Sequence, residues 1–167
     1  MLPELLLSGR WAGVQEPGGR NGDVPVELLH LQLFKKLAGA QVAVVSKIPS
    51  RMQKAESMGA DAVFEHRDSD VSRTVLDVMD FTREAGAGFV VISMSNPAAF
   101  EFATRISGKN SKINVFAGMP GGQAFSLDSN RLHYNQIYIM GTFSSTPAML
   151  QAAAGIAAEN AMLATER

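Results

Sequence analysis

GAQVAVVSKIPSRMQKAESMGADAVF, from Gly39 to Phe64, reads as a strand, a helix and a second strand with their punctuation in place. Gln41–Ser46 is apolar and β-branched, Pro49 opens the next segment, and Arg51–Met58 has helical character that Gly59 ends. Asp61–Phe64 is the following short strand. The alternation continues to Gly122, with a helix over Val71–Glu84, an unbroken apolar strand over Gly88–Ser93, a helix over Pro97–Ser107 and a strand over Lys112–Ala117. Near-continuous apolar strands alternating with helices indicate parallel strands covered on both faces, an α/β sandwich of Rossmann type. In such sheets ligands bind beyond the carboxyl ends of the strands, which directs attention to the loops after Val45, Ile92 and Phe116.

The surrounding sequence fits one domain. The chain has 167 residues, enough for a real core, and its net charge of −1 with scattered lysines and arginines gives no footprint for nucleic acid. It contains no cysteine, which excludes disulfides and thiolate chemistry and removes the commonest structural zinc ligand. The run Met1–Leu7 is too short to span a bilayer and lacks the basic flank and cleavage site of a secretory signal. No membrane association is expected, and a cytoplasmic location is compatible with this composition.

Residues 1–24 read as an irregular segment preceding a domain over 25–167. Glu16–Asp23 (EPGGRNGD) has three glycines, a proline and no apolar residue, so it reads as loop. Pro25 then opens a helix carrying Val26, Leu29, Leu33 and Leu37 at helical spacing, with Gly39 as its stop. Ser69 or Asp70 is placed to cap the helix over Val71–Glu84, whose buried stripe would be Val71, Val75, Val78, Met79 and Thr82. Gln136–Gly141 reads as a last strand, with Ile137 and Ile139 alternating against Tyr138 and Met140. The alanine-rich helix from Pro147 to Glu159 is expected to pack closely on the sheet.

Five segments in this order carry a family resemblance: GAQVAVVS at Gly39–Ser46, KAESMGADAVF at Lys54–Phe64, FVVISMSNPAAFEFA at Phe89–Ala103, VFAGMPGG at Val115–Gly122 and LHYNQIYIMGTFSSTP at Leu132–Pro147. Together they resemble the cofactor-binding domain of the medium-chain, zinc-type alcohol and polyol dehydrogenases. The resemblance implies a nicotinamide dinucleotide partner and hydride transfer at an alcohol carbon. It also implies a G-x-G-x-x-G turn between a first strand and the helix at Val26. Aligned through Leu28–Phe34, the glycine positions fall on Gly22, Val24 and Glu27, and only the first is glycine. A Cβ at Val24 crowds the approach to a pyrophosphate, and the Glu27 carboxylate repels it at the helix N-terminus. The first strand itself is expected to be absent or degenerate, because EPGGRNGD occupies its place.

The resemblance further implies an adenosine-ribose site at the end of the Val42–Val45 strand, where an acidic residue usually holds the hydroxyls. Ser46 stands there, followed by Lys47 and Arg51, a neutral residue with two cations that suits a ribose 2′-phosphate. NADP(H) is therefore expected over NAD(H), or else the two cations decorate a solvated face. Ser93, Gly118, Gly141 and Thr142 fall in loops that would line the remainder of the cleft, and Gly22 completes the cofactor-binding set. No catalytic or metal-binding residue is identified. His30, His66 and His133 lie far apart with no ligand spacing and read as surface or boundary histidines. The separate zinc domain that the resemblance implies has no counterpart here, so the chain alone is not expected to oxidise alcohols. The alternative is a non-catalytic Rossmann-like remnant or dimerisation module without cofactor. In the resembled family the last strand pairs with its copy, which implies a homodimer through residues 136–141.

Overall fold

The computed structural model describes residues 10–14, 26–119, 121 and 123–160, with residues 10–14 and Glu27 described by backbone alone. Six parallel strands form one sheet: β1 (Arg10–Val14), β2 (Gln41–Ser46), β3 (Ala62–Glu65), β4 (Ala87–Ile92), β5 (Ser107–Val115) and β6 (Tyr138–Gly141), in the spatial order β3-β2-β1-β4-β5-β6. The α/β class and the parallel sheet are as read from the sequence. The expected loss of the first strand is not. β1 lies at the centre, paired with β2 from Arg10↔Gln41 to Val14↔Val45 and with β4 from Trp11↔Phe89 to Val14↔Ile92. Ladder bonds on both edges hold a five-residue strand whose own sequence signal is slight. The EPGGRNGD stretch follows β1 in the sequence and falls outside the described residues.

Helices α1 (Val26–Leu33, continuing as a wider turn over Phe34–Ala38) and α2 (Pro49–Ser57) cover one face. Leu28, Leu31 and Ala55 pack there against Val42, Val44 and Val91. Helices α3 (Val71–Phe81) and α4 (Pro97–Ile106) cover the other, where Val78, Phe100, Phe102, Ala103 and Ile106 meet Val45, Val90, Ile92 and Ile113. Residues adjacent in one strand, such as Val44 and Val45, are thus buried on opposite faces, as a doubly covered sheet requires. Asp70 caps α3 by accepting from Arg73 N, and Asn96 caps α4 by accepting from Ala98 N. The α3 stripe includes Val71, Val75, Val78 and Thr82 as expected, with Thr74 buried beside them.

Strand β4 begins where Gly86 and Gly108 cross. Gly86 has φ +75°, and a Cβ there would come within 2.6 Å of Gly108 N. Two glycines permit this approach, and β5 slips its register between Ala87 and Phe89 as it leaves it. A short helix α5 (Ser129–Tyr134), capped by Asp128, precedes β6 and carries His133.

The last helix, α6 (Pro147–Glu159), occupies its expected span but does not pack closely on the sheet. Residues 147–155 are exposed, and only Ile156, Ala157 and Asn160 are partly covered, where Lys36 Nζ donates to the Asn160 carbonyl. Alanine permits close approach, but each methyl buries so little area that it provides weak attraction.

Candidate functional site

Every strand ends on the same edge of the sheet. From β1 the chain passes to β2 on one side, whereas β4, β5 and β6 lie on the other, so the ends of β1 and β4 form the topological switch point, the place where ligands bind in sheets of this kind. Ser46 ends β2, Ser93 follows β4, Gly118 lies just past β5, and Gly141 and Thr142 lie at the end of β6. The fold therefore brings these positions to one edge, as the sequence led us to expect. Arg51 is on the first turn of α2 above the same edge. Gly22 and Val24 lie outside the described residues, and for Glu27 only the backbone, in α1, is described.

Ser46 is fully buried. Its Oγ accepts from Ile48 N at 3.1 Å and its carbonyl accepts from His66 N at 2.9 Å, so the end of β2 is tied both to its own loop and to the end of β3. At the far side of the edge, Thr142 N donates to the Val115 carbonyl and its hydroxyl donates to Asn114 Oδ1, each at 3.2 Å, which fixes the end of β6 against β5. Gly118 and Gly141 have open space around a would-be Cβ and neither has a positive φ. The backbone does not demand glycine at either position. Their missing side chains leave the floor of the edge clear, which fits a flat ligand lying across it.

The ribose end is more elaborate than the sequence disclosed. Lys47 Nζ donates to Asp68 Oδ1 at 2.5 Å, with the lysine largely covered and the aspartate 75% exposed. His66 Nε2 stands 3.6 Å from the same oxygen, its ring edge-on to Phe102. Burial lowers the His66 pKa, the Lys47 charge lowers it further, and Asp68 partly opposes both. The hydrogen bond and charge of Lys47 in turn hold the Asp68 carboxyl below its usual range. His66 Nδ1 is buried without a hydrogen-bond partner. His66 is thus a boundary histidine, as expected, but Asp68 and its place in this cluster went unread. The signal was HRDSD immediately after β3, a dense run of charge where a ligand-binding loop belongs.

Behind Phe116, His30 on α1 donates from Nδ1 to the Val26 carbonyl and meets Phe116 edge-on, with ring centroids 5.2 Å apart. Burial lowers its pKa against the smaller opposing effect of that hydrogen bond. The three histidines do not converge. Among the described residues no group of His, Cys, Asp and Glu is arranged to hold a metal ion, so a zinc-polarised alcohol finds no ligand set there. Among the same residues, no helix is long and apolar enough to cross a membrane.

Comparison with known proteins agrees with this geometry. An alcohol dehydrogenase from Thermotoga maritima superposes with a TM-score of 0.81 at 19% identity, over 96% of this chain and 42% of that one. Benzyl alcohol dehydrogenase from Acinetobacter calcoaceticus gives 0.76 at 21% identity, over 95% and 41%. A short chain alcohol dehydrogenase from E. coli, solved with NADH, gives 0.72 at 12% identity, over 92% and 42%. These likenesses share the fold, and the chain spans about two fifths of the length of each. Residues 25–159 match the family model described as zinc-binding dehydrogenase. The chain belongs to the zinc-binding dehydrogenase family, and what it carries is the NAD-binding part of the zinc-type alcohol dehydrogenases.

Proposed function

We propose that this chain binds a nicotinamide dinucleotide along the carboxyl edge of its sheet and serves as the cofactor-holding half of an alcohol-oxidising or carbonyl-reducing enzyme. The observation that carries this reading is the switch point between β1 and β4, flanked by Ser46 and Ser93, with the side-chain-free floor at Gly118 and Gly141 beyond it. The adenosine ribose lies against Ser46, Lys47 and Arg51, and the nicotinamide half lies towards Gly118, Gly141 and Thr142. The cofactor, when bound, carries the hydride, and these residues bind and orient it.

NADP(H) is the preferred form, because Ser46 brings no carboxylate to the ribose and Lys47 and Arg51 supply cations. Val24 and Glu27 stand where the family has glycines, so affinity is weak, in the high micromolar range or above. Gly22 remains as the single glycine of that turn. The activity requires zinc ligands from another polypeptide or segment, and the described chain turns over no alcohol by itself. The same reading includes a cytoplasmic location and a homodimer formed through the edge strand β6.

Titration of the purified chain with NADPH and NADH, by nucleotide fluorescence or calorimetry, tests the cofactor claim. The expected result is weak binding that favours NADPH, with the preference abolished in Lys47→Ala/Arg51→Ala. Tight NADH binding indifferent to those substitutions overturns the preference. No binding of either nucleotide leaves a Rossmann-like module without cofactor.

A further inference from the structure

The cluster at the ends of β2 and β3 has a consequence for which dinucleotide is accepted. Lys47 comes from the loop after β2 and Asp68 from the loop after β3, and the two meet across the edge through a bond at 2.5 Å. The lysine is the more covered member and the aspartate the more exposed one. Ser46, whose backbone carbonyl accepts from His66 N, fixes the spacing between those two loops. Beside the ion pair, the buried His66 Nδ1 has no partner, an orphan polar atom next to the position read as the ribose site.

A ribose 2′-phosphate presents to Lys47 what Asp68 already presents, an anionic oxygen at hydrogen-bond distance. The two anions cannot share one ammonium closely without repelling each other. A 2′-hydroxyl makes no such demand and leaves the pair intact. We propose that Asp68 is a specificity-determining residue, a built-in anion that occupies Lys47 and competes with the 2′-phosphate, so that it restrains discrimination in favour of NADP(H). This rests on the cofactor-binding reading above and adds a residue whose effect runs against the Lys47 and Arg51 preference. Because Asp68 is largely exposed, it can swing away from Lys47 without disturbing the sheet, and the restraint is partial.

The test compares NADPH and NADH titrations of the wild-type chain, Asp68→Asn, Lys47→Ala and Asp68→Asn/Lys47→Ala. Asparagine keeps the shape and removes the charge, and its exposed setting makes an unchanged thermal midpoint the expected control. In Asp68→Asn the ratio of NADPH to NADH affinity rises about fivefold, the scale of one partly exposed ion pair, with NADH affinity itself little altered. In the double variant the rise disappears, because the lysine through which Asp68 acts is gone. An unchanged ratio in Asp68→Asn, or a rise that persists without Lys47, overturns the inference while leaving dinucleotide binding intact. Failure of every protein to bind either nucleotide overturns the inference together with the reading beneath it.

Discussion

Replacing Arg131 with alanine should destabilise the fold by about 2 kcal/mol, although the residue belongs to a short helix at the amino end of β5, away from the candidate site. Its Nε donates to the Thr104 carbonyl at 2.6 Å, and Nη2 donates to the carbonyls of Arg105 at 2.9 Å and Ser107 at 3.3 Å. These acceptors include the final carbonyls of α4, which have no partner within the helix and carry the negative end of its dipole. Hydrogen bonds from a charged donor are worth roughly 1.5–3 kcal/mol each when buried. The site is partly exposed, so water replaces some of that loss, and about 2 kcal/mol for the two short bonds is the result. For a domain of this size the shift amounts to about 4–8 °C in thermal midpoint. Arg131→Lys keeps the charge but cannot fork to three carbonyls, and should lose about half as much. Urea denaturation followed by circular dichroism, with equal slopes for all three proteins, gives the comparison. An alanine variant within about 0.5 kcal/mol of wild type, the range of ordinary surface changes, would refute the clamp.

Gly108→Ala should cost more than 3 kcal/mol or abolish folding, since its Cβ would fall on the Ala85 carbonyl oxygen and meet the Gly86 backbone, and expression with thermal melting checks this. His30 and His66 both have lowered pKa values in the folded state, so the unfolded chain binds more protons near and below about 6.5. Their contribution is present above that pH and is lost as pH falls through the folded-state values; the urea midpoint should drop between pH 7 and pH 5, and His30→Phe should flatten the slope. Ile139→Pro removes a backbone donor from β6, and light scattering should show the proposed dimer becoming monomer; a monomer before the substitution, or a dimer after it, would contradict the edge-strand contact.

The strands β2 and β4 were legible because burial on both faces writes itself as near-continuous apolar sequence, and the helices because Asp70 and Pro97 mark where they begin. β5 was read only in part, since SGKNSKINV is polar over its first half and the strand starts at Ser107 rather than Lys112. β1 was not legible. Its place at the centre comes from pairing on both edges, and RWAGV carries no run long enough to announce that. The exposure of α6 was equally hidden, since a uniform alanine helix specifies no face. At the site, the strand-end rule pointed to the loops after Val45, Ile92 and Phe116, and the family resemblance singled out Ser46, Ser93, Gly118, Gly141 and Thr142. Asp68 could not, because its meeting with Lys47 depends on β3 lying beside β2 in parallel register, a contact between loops 21 residues apart in sequence.

The central claim, that the carboxyl edge of this sheet holds a nicotinamide dinucleotide, is tested most directly by mapping amide chemical shifts of the labelled chain during an NADPH titration. The account predicts saturating shifts that gather at Ser46, Lys47, Ser93, Gly118, Gly141 and Thr142, with Arg131 and α6 silent. Shifts scattered over the surface, or none at millimolar nucleotide, would contradict it.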